Sequence, residues 1–185
     1  MAVVISMLRG VNVGGHNRIK MDALRALYEP LGARDIQTYV QSGNVVFRTK
    51  RRNLELLSKK IEDRIERRFG FRPDLIIRTP SDLRKVVAGN PFAARREIDP
   101  SRLLVTFLAK DPGAEIRQKI LEIKIGPEEM HSSGREIYVY FPNGVGHSKM
   151  PGGLIEKTLK TPGTARNWNT VRELLEMAER LEASQ

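Results

Sequence analysis

The apolar residues first cluster in a short β-branched run, Ala2-Val3-Val4-Ile5-Ser6-Met7-Leu8, which ends at the glycine-containing stretch Gly10 to Gly15 and predicts a buried strand. The spacing then changes: Leu24, Leu27, Tyr28 and Leu31 recur at helical intervals, Gly32 is the stop, and Pro30 must distort or end the last turn. Residues 36–40 and 45–48 are β-rich runs around Gln41-Ser42-Gly43-Asn44, the pattern of a hairpin. Leu54, Leu57, Ile61, Ile65 and Phe69 predict a second helix on one stripe, and a strand over 74–78 closes the unit. The order is βαββαβ, the ferredoxin-like arrangement in which helices cover one face of an antiparallel sheet.

The same order begins again after a connection. Thr79-Pro80-Ser81-Asp82 combines a Thr cap, Pro at the first helical position and an acid in the first turn, so a connecting helix starts there and stops near Gly89. The pattern then predicts a strand over 103–109, a helix over about 113–124, and a hairpin pairing 128–132 with 137–141 through Ser133-Gly134. Helical turns follow over 154–159. Thr170 and Glu173 form a capping box before the apolar face Val171, Leu174, Leu175, Ala178 and Leu181, which predicts a closing helix from about 171 to 182. The expected fold class is α+β: two ferredoxin-like (βαββα) halves packed together, plus a C-terminal helix. The expected division is a βαββαβ half over 1–79, a connecting helix and loop over 80–101, a βαββα half over 102–160, and the C-terminal helix on the core over 161–185. Both leading strands are apolar at nearly every position, so both sheets should be covered on both faces.

Composition narrows the chemistry. The 185 residues include 32 Lys and Arg against 22 Asp and Glu, a net +10, which makes the chain an attractor of anions. Residues 1–96 hold 20 basic and 9 acidic side chains and residues 97–185 hold 12 and 13, so along the sequence the excess lies in the first half. Much of it sits in Arg48, Lys50-Arg51-Arg52, Lys59-Lys60, Arg64, Arg67-Arg68 and Arg72. For that helix alone the preferred reading is a solvated face partly neutralised by Glu55, Glu62, Asp63 and Glu66. The chain has no cysteine, which removes disulfide scaffolds, thiolate catalysis and cysteine-ligated zinc, and His16, His131 and His147 offer no sequence-local metal pair. No run of about eighteen apolar residues and no leader pattern is present, so a cytoplasmic protein with no membrane partner is expected.

Four stretches carry polar and glycine residues beyond what a plain scaffold needs. The first, Arg9 to Asn17, puts Arg9, Asn12, Gly14, Gly15 and Asn17 between a strand and a helix, where glycines let backbone N–H groups face an anion; a long structural turn explains it equally well. The second, Asn143 to Lys149, ends in Gly146-His147-Ser148-Lys149, with a hydroxyl (Ser148) and an ammonium (Lys149) but not in P-loop order. The third is the turn around Gln41 and Asn44, where turn-making accounts for every residue except Gln41. The fourth presents Arg166, Asn167 and the single Trp168 before a helix; a packing anchor explains Trp168, and neither capping nor packing explains Arg166. These stretches hold donors and glycine but no acids, which suits binding an anion better than activating water, and only His16 and His147 are acid/base candidates.

The runs Leu8-Arg9-Gly10-Val11-Asn12-Val13-Gly14-Gly15, Tyr39-Val40-Gln41-Ser42-Gly43-Asn44-Val45-Val46-Phe47, Asn90-Pro91-Phe92, Ser148-Lys149-Met150 and Arg166-Asn167-Trp168-Asn169-Thr170-Val171 resemble a bacterial domain family of unknown function, DUF1697, over essentially the whole chain. Met150 stands where the family pattern has Leu, and Pro30 interrupts a helix the family runs through. The resemblance implies an α+β fold with ferredoxin-like halves and supplies no catalytic residue. The leading functional expectation is an anion-binding module for nucleic acid or a nucleotide. The alternatives are an enzyme acting on a small phosphorylated substrate bound between the halves, with His16 or His147 carrying the proton, and a protein-interaction module. The loops 9–17 and 143–149 and the segment 166–170 are expected to converge on one cleft, on the ground that repeated halves bring equivalent junctions together.

Overall fold

The structure is a computed structural model that describes residues 1–124 and 126–184. The chain divides into two compact units, Met1–Arg84 with the segment from Glu173 onward, and Lys85–Arg172, so that both crossings fall inside helices.

In the first unit, β1 (Ala2–Leu8), α1 (Met21–Tyr28), β2 (Arg34–Tyr39), β3 (Asn44–Thr49), α2 (Leu54–Phe69) and β4 (Leu75–Arg78) follow one another, and the sheet order is β2-β3-β1-β4 with every pairing antiparallel. Pro30 has the effect its geometry demands: α1 gives way to a 3-10 turn over Glu29–Leu31, closed by Gly32 at a φ of 82°. Asn53 caps α2 by accepting from the Leu56 N–H at 2.9 Å, and Leu57, Ile61 and Ile65 turn inward. Those side chains meet Val4, Leu8, Tyr28 and Phe47 on one sheet face. The alternate β1 residues Val3, Ile5 and Met7 are buried as well, as the unbroken apolar run predicts for a strand covered on both faces. The acidic end of α6 (Trp168–Ala183) belongs to this unit. Arg84 donates to Glu179 at 2.8 Å and also to Glu182, and Arg48 on β3 donates to the Leu181 carbonyl and to Ser184 Oγ.

The second unit receives the chain within α3 (Pro80–Ala88), where Thr79 and Asp82 satisfy each other's backbone N–H groups at 2.8 and 3.1 Å. It continues with β5 (Leu103–Leu108), α4 (Ala114–Leu121), β6 (Glu129–Ser133), β7 (Glu136–Tyr140), α5 (Leu154–Leu159) and β8 (Gly163–Asn167), in the sheet order β6-β7-β5-β8. Leu108, Ile120, Ile137, Val139, Ile155 and Leu159 pack under α4 and α5. The run Asn90-Pro91-Phe92 is a local turn: the Asn90 side chain accepts from the Phe92 N–H at 2.9 Å and sends the buried Phe92 ring against Tyr140 and His131.

The sequence pattern missed one strand. The second half is βαββαβ, completed by β8 over residues that the pattern assigned to the approach to the closing helix. Thr164 and Arg166 are buried and Ala165 between them is exposed, so the alternation over these residues is real but carries no hydrophobic signal. The closing helix accordingly begins at Trp168 rather than near 171, and its cap is Asn167, whose Oδ1 accepts from the Asn169 N–H at 2.9 Å.

The two sheets match position by position. Ile5 faces Val46 on one side and Arg78 on the other; Val105 faces Tyr138 and Arg166. Ser6 and Thr106, the next residues along, are both buried hydroxyls.

Candidate functional site

Two of the four polar stretches meet in the first unit, and Asn12 joins them. Its Nδ2 donates to the Ile19 carbonyl at 2.9 Å and to the Gln41 carbonyl at 2.7 Å, while its Oδ1 accepts from the Ile19 N–H at 2.8 Å. Asn17 Nδ2 donates to the Gly10 carbonyl at 3.1 Å, and the Asn12 N–H donates to the Asn17 carbonyl at 3.2 Å. Asn12, Asn17, Gly14 and Gly15 all stand at positive φ, conformations that Asn and Gly adopt most readily. The hairpin turn is fastened from below. Asn44, fully buried, donates to the Tyr39 carbonyl at 3.2 Å and to Ser42 Oγ at 2.8 Å, and Gly43 sits so close to β1 that a Cβ there would lie 2.9 Å from Leu8 Cβ. Asn12, Asn17 and Asn44 thus hold the loops in shape; outward they leave Arg9, His16, Arg18, Lys20, Gln41 and the glycine backbone. Arg9 stands 3.5 Å from Asp74 with both side chains part exposed. Val40 sits at a φ of 48°, which strains a β-branched residue, and its side chain is exposed.

The other two stretches lie at one end of the second unit's sheet. The Phe141 N–H donates to the Arg102 carbonyl, Arg102 reaches the Pro142 carbonyl, and Asn167 Nδ2 donates to the Ser101 carbonyl at 2.7 Å, so the loop after β7 and the end of β8 both flank the start of β5. Ser148 Oγ accepts from the Met150 N–H at 3.0 Å, a local turn, and Lys149 is exposed. Trp168 is buried, in keeping with the anchor reading. Arg166 is only 8% exposed; its Nη1 donates to Thr164 Oγ1 at 2.7 Å and to the Ala165 carbonyl at 2.8 Å, and burial pulls its pKa down to about 10. The equivalent Arg78, which sequence reasoning passed over, is 1% exposed and likewise donates to the preceding carbonyl, of Ile77, at 3.1 Å.

The topology corrects the ground given for a shared cleft. Loop 9–17 follows the first strand of its half, whereas 143–149 follows the third strand of the other, so the two are not equivalent junctions of the repeat. The charge map also changes once the chain is folded. The first unit holds 18 basic and 13 acidic side chains and the second 14 and 9, so each carries +5; Glu173, Glu176, Glu179 and Glu182 of α6 offset the basic first half. Just beyond α2, Arg72 reaches back to bind Glu62 at 3.1 Å, Asp63 at 2.5 Å and Glu66 at 2.9 Å on the helix, and Lys59 pairs with Glu55 at 3.1 Å, the neutralised face that the charge pattern favoured. The Arg72 hydrogen bond holds the Asp63 carboxyl below its ordinary value, whereas burial pushes Glu62 up.

The architecture defines a class, an α+β protein built from two ferredoxin-like repeats, with an Asn-clamped pair of loops on the first. Within that class the chain belongs to the family described as Protein of unknown function (DUF1697), whose model matches residues 1–138. The runs at 148–150 and 166–171 lie beyond the matched residues. The structure is similar to that of a conserved bacterial protein from Streptococcus pneumoniae, with a TM-score of 0.70 at 21% identity, covering 97% of this chain and 99% of that one; the likeness is one of fold. No curated protein sequence matches the chain. Among the described residues no helix is long and apolar enough to cross a membrane.

Proposed function

We propose that this chain is an anion-binding module that takes a nucleic acid or a nucleotide at the clamped loops of the first unit. The observation that carries this reading is the chemistry of the two stretches that Asn12 joins: neither residues 1–21 nor residues 36–54 contain an Asp or Glu, and the exposed loop adds His16, Arg18 and Lys20, while Arg9 at its edge pairs with Asp74. The hydrogen bonds from Asn12, Asn17 and Asn44 fix the loops before any ligand arrives, so little ordering entropy opposes binding. Backbone N–H groups at glycines and guanidinium forks are the donors that phosphate oxygens take.

The test is fluorescence anisotropy with labelled single-stranded RNA and DNA. If about three phosphates are neutralised, raising salt from ~50 to ~200 mM weakens binding by about twentyfold, since the logarithmic slope is near −0.7 per phosphate contact. Arg18→Glu with Lys20→Glu should abolish most of the binding while far-UV circular dichroism stays native. A thermal-shift series with mononucleotides separates the two ligand sizes. Absence of binding to every oligonucleotide and mononucleotide at low salt overturns the reading.

A further inference from the structure

The opposite end of the first sheet carries a second feature. A cavity of about 530 Å³ opens where β1 begins and β3 and β4 end, lined by Ala2, Val4, Leu54, Thr79 and the consecutive cations Lys50, Arg51 and Arg52, with Met1 and Thr49 beside them. Seven residues of β1 separate this end from the clamped loops, roughly 20 Å at strand rise. We propose that this cavity is a binding site for a small amphipathic anion, an apolar body bearing one phosphate or carboxylate group.

The volume falls in the range of small-molecule pockets. No carboxylate lines the cavity, and Lys50 and Arg52 are exposed and have no ion-pair partner among the described residues. Arg51 is held at the rim: its Nε donates to the Leu31 carbonyl at 3.1 Å and its backbone N–H to Thr49 Oγ1 at 3.0 Å. The rim therefore presents one positioned guanidinium and two exposed cations to a single anionic group. The 16-residue helix α2 starts at the same edge with Leu54, and its N-terminal dipole adds to the attraction, while the start of α3 is already occupied by the Asp82 carboxylate bonded to Thr79. The walls offer Ala2, Val4 and Leu54 to the rest of the ligand. Thr79 donates its hydroxyl to Asp82, and Thr49, whose Oγ1 accepts from the Arg51 N–H, is only 1% exposed, so the walls favour an apolar body over a base that needs its edge read.

Isothermal titration calorimetry on the whole chain with hexyl phosphate, hexanoate, AMP, inorganic phosphate and neutral hexyl glucoside tests this. Hexyl phosphate or hexanoate should bind at least about tenfold more tightly than inorganic phosphate and than hexyl glucoside, and whichever of the two is tighter identifies the head group. Lys50→Ala with Arg52→Ala should weaken it by about tenfold or more, the scale of lost charge-assisted hydrogen bonds, with the unliganded melting temperature unchanged. Ala2→Trp, at an exposed strand end, should block the cavity and leave oligonucleotide binding at the clamped loops intact. Equal affinity for the neutral glucoside, AMP binding that is tighter than that of both hexyl anions and is lost in Ala2→Trp, no effect of either variant on the hexyl anions, or no heat from either hexyl anion each overturns the proposal. AMP heat that persists in Ala2→Trp belongs to the loop site, which the oligonucleotide titration reads separately.

Discussion

Asn12 offers the sharpest test of how the loops are held. Three hydrogen bonds converge on its side chain, at 2.9, 2.7 and 2.8 Å, and they tie residue 12 to Ile19 within the loop and to Gln41 across it. At about 0.5–1.5 kcal/mol net for each neutral bond, deleting the side chain should cost about 1.5–4.5 kcal/mol. The backbone stands at a φ of 57°, so alanine adds a conformational penalty of about 1 kcal/mol that glycine does not. Asn12→Gly isolates the hydrogen bonds, and the gap between Asn12→Ala and Asn12→Gly measures the backbone. Urea unfolding is best followed by far-UV circular dichroism, because the single tryptophan, Trp168, lies in the second unit and its fluorescence reports there. Hydrogen exchange supplies a local readout: the Ile19 N–H, bonded to Asn12 Oδ1, should lose protection by about tenfold or more. An Asn12→Gly protein within about 0.5 kcal/mol of the parent, with Ile19 equally protected, would refute the clamp.

Gly43→Ala combines a φ of 74° with a Cβ 2.9 Å from Leu8 Cβ, and should cost about 2–4 kcal/mol in urea unfolding; a loss below about 1 kcal/mol means that β1 yields more easily than its packing suggests. Arg166→Ala and Arg78→Ala should each destabilise the fold by about 2–4 kcal/mol, because each removes a buried guanidinium from its hydrogen bonds; an unchanged melting temperature with lost ligand affinity would return Arg166 to the binding site. Burial raises the Glu62 pKa above its unfolded value of 4.5, so its protonation favours the folded state at low pH and that contribution fades as pH rises through and above about 4.5. The stability of Glu62→Gln relative to the parent should therefore increase over that window in pH-resolved urea titrations, and a decrease would show that Arg72 and the Leu75 N–H outweigh burial.

The elements that were legible in the sequence are those whose burial is apolar. The stripe Leu57, Ile61, Ile65 marked α2, and the run Val3 to Leu8 marked a central strand covered on both faces. β8 was hidden because its inward side chains are Thr164 and Arg166, and the start of α6 was misplaced because Asn167 caps it ahead of the more conspicuous Thr170-Glu173 pair. Among the candidate site residues, sequence alone cannot separate an amide that waits for a ligand from one that has found a backbone partner. Asn12, Asn17 and Asn44 belong to the second kind, as does Arg166, whose charge had pointed outward to a ligand. The charge count erred for a related reason: adjacency along the chain put the acids of α6 with the wrong unit.

The repeat itself shows where specialisation lies. Pairing register, a buried hydroxyl on the central strand and a buried arginine on the edge strand occur in both halves, so these features belong to the scaffold. The connection from first strand to first helix is not shared. In the first half it spans residues 9–20, held by Asn12 and free of acids; in the second it spans only residues 109–113, where Asp111 caps the Gly113 N–H at 2.8 Å and binds Arg117. A short acid-bearing turn closes this junction in the second half, so the longer cationic loop is the part of the repeat on which the proposed anion site rests. Charge reversal at matched positions separates a local site from the general attraction of a +10 chain. Arg18→Glu should weaken oligonucleotide binding by about tenfold or more, whereas Lys110→Glu, on the short loop, should change it by less than about threefold at the same salt. Equal losses from the two reversals would mean that net charge alone attracts the polynucleotide, and the clamped loops would then have no claim on it.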